Sequence, residues 1–272
     1  MKRLVLVGAG HAHVLVLKAF IQGGIKDVEI MLVSPVVLAP YSGLIPGWLA
    51  GVYQWEECCV DFAYLCHRPG AILRVAAIAG LDSARSELVL ECGERVRYDW
   101  LSINIGSTLT PPSGDHPAVL PMRPLSDLKA RWEGLLQTIS HLAPGSKYRI
   151  VMVGGGAAGV ESILAANNRL TQLAPDVRFN FRLAIQGDDI LPGMAAGAAK
   201  RMRVQLARRQ IDVVNQFLAE RVERDAVVSM DGRVLPAEAI LWATGAQSFA
   251  WPKNSGLSLP RCQTICRVSG VN

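Results

Sequence analysis

The sequence predicts an α/β protein of two units, each with a parallel sheet and an inserted β-hairpin. Three observations predict it: a glycine-rich turn at Gly8-Ala9-Gly10, a second at Gly154, Gly156 and Gly159, and, after each turn, a hairpin pattern followed by an apolar strand ending in glycine. Half of the 272 residues are hydrophobic and 19 % are charged, which suits buried parallel strands. A chain of this length holds one large core or two modest ones.

The second turn carries the strongest local signal. Residues 150–153 form an apolar run that ends at Gly154, and the G-x-G-x-x-G spacing then opens a helix-compatible run over 157–172. The three glycines do different things. Gly154 permits the tight turn, Gly156 lets a pyrophosphate reach the backbone, and Gly159 lets helix and strand lie close. Free amides of the first helical turn, aided by the helix dipole, then hold the phosphates. With the earlier partner at Gly8-Ala9-Gly10, this spacing predicts two Rossmann-like dinucleotide-binding domains.

Composition excludes several other classes. The formal charge of +5 comes from basic residues scattered through both halves, with no interleaved basic and aromatic pattern, so no nucleic-acid partner is expected. Lys2 and Arg3 precede an apolar run, but Gly8, Gly10, His11 and His13 interrupt it, and it reads as a strand rather than an export signal. No apolar stretch is long enough to span a bilayer, although attachment to a membrane surface stays open. The cysteines at 58, 59, 66, 92, 262 and 266 show neither zinc-ligand nor C-x-x-C spacing, so no metal is expected and reduced thiols in the cytoplasm are the default.

In chain order, residues 3–7 read as a strand, 8–13 as the turn, 14–21 as a helix closed by Gly23-Gly24, and 28–33 as the next strand. His13 stands where the third glycine would allow close packing, and Ser34 stands where an acid usually holds ribose hydroxyls, so ribose binding must differ. For His11 and His13, packing around the turn and acid–base chemistry are both open. Residues 35–57 read as a long loop at the carboxyl end of the sheet. Its Tyr41, Trp48, Tyr53 and Trp55 either line a flat aromatic ligand or cover the domain. Cys58-Cys59 adjoins Glu56-Glu57, which raises thiol pKa and marks structural cysteines.

Residues 72–81 read as one strand, 87–90 with 95–98 as a hairpin across Cys92-Gly93-Glu94, and 99–105 as a strand ending in Gly106. Residues 108–124, rich in proline, glycine and serine, read as a linker, after which Ser126 caps a helix to about His141. Residues 178–186 are the strand after the second glycine-rich helix and end on Gln186, with Asp188 and Asp189 just beyond, which leaves NADH against NADPH open. The helix over 194–209 carries Lys200, Arg201, Arg203, Arg208 and Arg209 and reads as a solvated basic face. Residues 226–230 and 233–235 form a hairpin around Asp231-Gly232, and 239–245 is a last strand ending Ala-Thr-Gly.

Two such units, each closed by a strand ending in Ile-Gly-Ser or Ala-Thr-Gly, resemble the two-dinucleotide-domain flavoproteins. These form the pyridine nucleotide:disulfide oxidoreductase superfamily, which includes type II NADH dehydrogenases and sulfide:quinone reductases. Leu-Val-Leu-Val-Gly-Ala-Gly-His-Ala-His-Val (4–14) and Tyr-Ser-Gly-Leu-Ile-Pro-Gly (41–47) are most similar to the flavoprotein module found ahead of selenide, water dikinase in fused chains. The resemblance covers about residues 2–259. It implies an FAD-binding domain beginning over 1–112, a linker at 113–125, an NAD(P)-binding domain over 126–246 and a return segment over 247–272.

The resemblance further implies that Gly8, Ala9, Gly10 and His11 hold the FAD pyrophosphate, that Ala77 meets the adenine and that Gly106 closes the cofactor cleft. Gly154, Gly156 and Gly159 would hold NAD(P)H, with Gly245 near the nicotinamide. Glu161 matches the family's acid one turn into the second helix and would tune hydride or proton transfer; a helix-dipole partner is the competing reading. The redox cysteine pair of the disulfide-reductase members is missing, so direct transfer from nicotinamide to flavin to a quinone-like or small electron acceptor is expected. Residues 260–267 resemble none of the family's closing segment, which suggests a truncated or frameshifted product with an unstructured tail. Two function classes follow: an FAD-dependent oxidoreductase, or a nucleotide-holding remnant without turnover.

Overall fold

The structure, a computed structural model, describes residues 1–109, 118–247, 249–255 and 266–267. Contacts divide it into two units. Met1–Tyr41, Cys59–Thr108 and the described residues from Gln247 on form the first, and Ser42–Cys58 with Leu109–Ala246 forms the second. The tail pair Cys262 and Cys266, as a pair, and most of the expected return segment lie outside the described residues.

In the first unit, strands Lys2–Val7, Val28–Ser34, Ile72–Val75 and Trp100–Ile103 form a parallel sheet in the order 100–103, 2–7, 28–34, 72–75; Cys266–Arg267 adds antiparallel to 100–103. Because strand side chains alternate between faces, one run of apolar residues supplies two cores. Leu6, Ile30 and Leu32 join Leu17 of helix His11–Gly23 with Phe62 and Cys66 of helix Phe62–His67. Val5, Val7, Val33 and Ile103 join Leu88, Leu90 and Val96 of an antiparallel sheet made by Ile78–Asp82, Glu87–Leu90 and Arg95–Arg97.

Two expectations change here. The single strand over 72–81 divides at Ala76-Ala77, where the backbone exchanges partners: Ala76 N–H donates to Ser34 O (3.0 Å), whereas Ala77 O accepts from Glu91 N–H (3.0 Å). The helix Phe62–His67, capped by the Asp61 carboxylate accepting from Tyr64 N–H at 3.0 Å, was not expected.

The second unit has a five-stranded parallel sheet in the order Val119–Pro121, Ala239–Trp242, Lys147–Val153, Arg178–Ala184, Ile211–Val214. Helices Leu125–Ser140, Ala157–Leu173 and Ala196–Arg208 and the antiparallel strands Ala219–Glu223, Ala226–Ser229 and Val234–Pro236 complete it. Part of the expected linker is therefore the edge strand 119–121. Ser126 does not cap its helix: the helix begins at Leu125 behind Pro124, whose ψ of 154° ends the extended chain, and the Ser126 hydroxyl donates to Asp127 instead.

The long loop also differs from expectation, because residues 42–58 pack into the second unit. Ile45, Trp48 and Leu49 of the short helix Ile45–Leu49 and the thiol of Cys58 are buried in its core. Trp48 meets Trp55 edge-on (4.7 Å between centroids) and lies 6.5 Å from Trp132. Two of the four aromatic residues thus cover a core, although not the one their place in the sequence suggested.

Candidate functional site

The second turn is built by close approach. Strand 147–153 ends at Val153; Gly154 then takes φ +126°, and a Cβ there would lie 2.8 Å from Ala243 O. A Cβ on Gly159 would lie 1.9 Å from Gly154 O, so only glycine lets the helix sit this near the strand. Gly156 differs: it is the exposed N-cap residue of helix 157–173, and a Cβ there would meet no described residue within 4 Å. Among the described residues no side chain caps this helix, which leaves its first-turn amides without a side-chain partner.

The first turn is its positional equivalent. Val7 pairs with Ile103 as Val153 pairs with Trp242, and Asn104 N–H donates to Val7 O (2.8 Å) as Ala243 N–H donates to Val153 O (2.8 Å). Gly8 takes φ +92°, and a Cβ there would lie 2.5 Å from Asn104 O. Asn104 therefore occupies the place of Ala243, and its longer side chain lies against the turn. A Cβ on Gly10 would lie 1.7 Å from Asn104 Oδ1, which accepts from Ala12 N–H at 3.2 Å.

His13, at the place of Gly159, is wholly buried. Its Nδ1 lies 2.6 Å from Gly8 O and its Nε2 lies 2.9 Å from Ser102 Oγ. A carbonyl only accepts, so Nδ1 carries the proton; the neutral ring then accepts from the Ser102 hydroxyl at Nε2. Burial lowers the imidazole pKa, and the Gly8 bond opposes it. His11 is exposed and stacks on Tyr41, with centroids 4.8 Å apart and planes at 27°. Ala9 is half-buried beside it.

Gly106 (φ +72°) and Gly245 (φ +57°) follow equivalent strands, and a Cβ on either would meet no described residue within 4 Å. Ala77 sits at the change of backbone partners described above. Glu161 is exposed, one turn along helix 157–173. The Ser34 hydroxyl is used locally: it donates to Val36 O (2.9 Å) and accepts from Val36 N–H (3.2 Å). Beyond strand 178–184, Asp188 accepts from Gln216 Nε2 (2.8 Å), and Asp189 accepts from Arg203 Nε (2.7 Å). The Arg203 contact is the main cause holding the Asp189 carboxyl below its usual range. The expected basic face is thus only partly free, since Arg203 is paired with an acid and Arg209 donates to Asn168 (3.1 Å).

Ser102 and Asn104 were missed in the sequence. The signal was there: two polar residues, two apart and hence on one strand face, where the second unit has Leu241 and Ala243. Cys58 is a buried thiol whose pKa burial raises first and the neighbouring Glu57 and Glu56 raise further.

Comparison with known proteins places this geometry. The chain superposes on the covalent putidaredoxin reductase–putidaredoxin complex (TM-score 0.75, 20 % identity, covering 95 % of this chain and 62 % of that one). It superposes likewise on the sulfide:quinone oxidoreductase of Aquifex aeolicus (0.77, 16 %, 97 % and 63 %) and on NDH2 of Plasmodium falciparum in complex with NADH (0.76, 14 %, 95 % and 59 %). At these identities the likeness is one of fold, and the chain spans less than two thirds of each. No curated protein matches the sequence. Residues 2–264 match the pyridine nucleotide-disulphide oxidoreductase family, and the chain belongs to that family.

Proposed function

We propose that the chain is an oxidoreductase that binds FAD at the first turn and NAD(P)H at the second and reduces a quinone-like or small electron acceptor. Gly156 carries the reading: an exposed glycine at the uncapped N-terminus of a 17-residue helix, with nothing within 4 Å of its Cβ position, fits a pyrophosphate brought against the backbone. The other nucleotide is assigned to the register-matched turn at Gly8, Ala9, Gly10 and His11, with Ala77 assigned to the adenine and Gly106 and Gly245 to the far ends of the two sites. When bound, the flavin supplies the group that takes hydride from nicotinamide and passes electrons on. The chain's own part is to hold both diphosphates by amides and dipoles. Family membership and the NADH complex of NDH2 support the assignment.

Glu161 is assigned the tuning of hydride or proton transfer. Glu161→Gln should lower kcat while leaving NADH affinity intact; a fall in melting temperature with unchanged kcat would return it to the helix-dipole reading. A second reading, nucleotide binding without turnover, is favoured by one observation: the Asn104 side chain lies across the first turn. The likeness of 4–14 and 41–47 to the module ahead of selenide, water dikinase makes selenium metabolism the setting to try next. NADH oxidation with an artificial acceptor after adding FAD separates the readings. Turnover abolished by Gly156→Val supports the enzyme, and NADH binding without flavin uptake or turnover supports the alternative.

A further inference from the structure

The two turns are equivalent in register but are held together by different physics. In the second, Gly159 and Ala243 let the helix close on the strand until a Cβ would stand 1.9 Å from Gly154 O. The matched positions in the first carry His13 and Asn104, and strand 100–103 and the residue after it send two polar side chains to the helix start. Ser102 meets His13 Nε2 at 2.9 Å and Asn104 Oδ1 meets Ala12 N–H at 3.2 Å, while His13 Nδ1–H reaches Gly8 O at 2.6 Å.

We infer that His13 is a positioning residue for the first turn: its imidazole clasps the Gly8 carbonyl to Ser102 and sets by hydrogen bonds the helix-to-strand spacing that the second turn sets by glycine contact. The inference rests on reading the first turn as the flavin site. The Gly8 carbonyl shows how. In the second turn the matching carbonyl, Gly154 O, is pressed against a helix glycine; in the first, the Gly8 carbonyl accepts from a wholly buried ring. Asn104 fixes the other side of the same helix start, and its bond from Ala12 N–H leaves the Nδ2 amide as a donor at the turn.

Glycine at 13 should damage the site rather than repair it, because the Gly8 carbonyl and the Ser102 hydroxyl both lose their buried partner. Asparagine should do better, because its Nδ2 reaches the place of the ring Nδ1.

The experiment measures flavin affinity by fluorescence quenching in the full chain, with NADH affinity as the internal control. His13→Ala and His13→Gly should each weaken flavin binding by about tenfold or more, as expected for an unsatisfied buried carbonyl. His13→Asn should recover most of that loss, and NADH affinity should stay within about twofold in all three, since His13 belongs to the first turn and NADH is proposed at the second. Flavin binding by His13→Gly at wild-type strength overturns the inference, as does failure of His13→Asn to improve on alanine. If the wild-type chain binds no flavin, the proposed function falls, yet the clasp is still read directly: nitrogen-15 imidazole spectra must show the proton on Nδ1 of His13. A proton on Nε2 overturns the clasp whatever the flavin result.

Discussion

Single atoms at the two turns decide different things, and substitution can separate them. Gly159→Ala puts a methyl where Gly154 O stands, 1.9 Å away. Overpacking of that kind costs about 1–3 kcal/mol, so a clear fall in melting temperature is expected. Gly156→Ala puts its methyl in open space at φ −74° and ψ 176°, a conformation alanine adopts freely, and stability should change by no more than about 0.5 kcal/mol. NADH titration of the same variant should nevertheless show weakened binding, because that space is where the diphosphate is proposed to lie. The thiols give a second residue-scale test. Burial pushes the Cys66 thiol up to about 11, whereas Cys92 is exposed. Cys92 should therefore react with a thiol reagent in the native protein at pH 8 while Cys66 stays protected until unfolding. A folded value raised above 9.0 means that the contribution of Cys66 to stability is complete below pH 9.0 and is lost as pH rises toward 11.

At the scale of elements, the segment 42–58 is the clearest case of structure that local pattern cannot show. Its aromatic residues left a ligand lining and a covered core both open, and which core they would cover depends on where the chain returns in space. Trp48→Ala should destabilise the second unit by about 3–5 kcal/mol, as for other large buried aromatic residues. Hydrogen exchange checks the location: protection should fall in helices 125–140 and 157–173 while strands 2–7 and 28–34 keep theirs. The long apolar strands and both glycine turns were legible because an apolar run that ends in Gly-x-Gly is a local fact. Strand 211–214 was not, because its turn is made by Gln210 at φ 54° rather than by a glycine or proline. Strand 119–121 was hidden by Pro121 and by its length of three. At the site, the glycines were readable one by one, whereas the roles of Ser102, Asn104 and His13 exist only once strand 100–103 lies beside strand 2–7.

Across the molecule, the two ways of holding a turn should give the two units different responses to acid. His13 is buried and its pKa is lowered, chiefly by that burial, so the folded first unit favours the neutral ring more than the unfolded chain does. The sign follows: this stabilisation is present above 6.5, the ordinary imidazole value, and is lost as pH falls below it. The carboxylates whose pKa is lowered in the same unit, Glu87 by Arg95 and Arg97 and Asp99 by Lys2 and the Arg3 amide, act in a lower window, below their ordinary values of 4.5 and 3.8. Between pH 6.5 and 4.5 the first unit should therefore lose stability through His13, while the second turn, held by glycine contact, has no imidazole at the matching place. Amide exchange at pH 7.5 and pH 5.0 checks this: opening should increase over strands 2–7 and 100–103 at the lower pH, with strands 147–153 and 239–242 unchanged. His13→Asn should remove the difference between the two pH values, since asparagine keeps a donor for Gly8 O and does not titrate. Equal acid loss in both units, or persistence of the effect in His13→Asn, would assign the acid response to surface carboxylates instead.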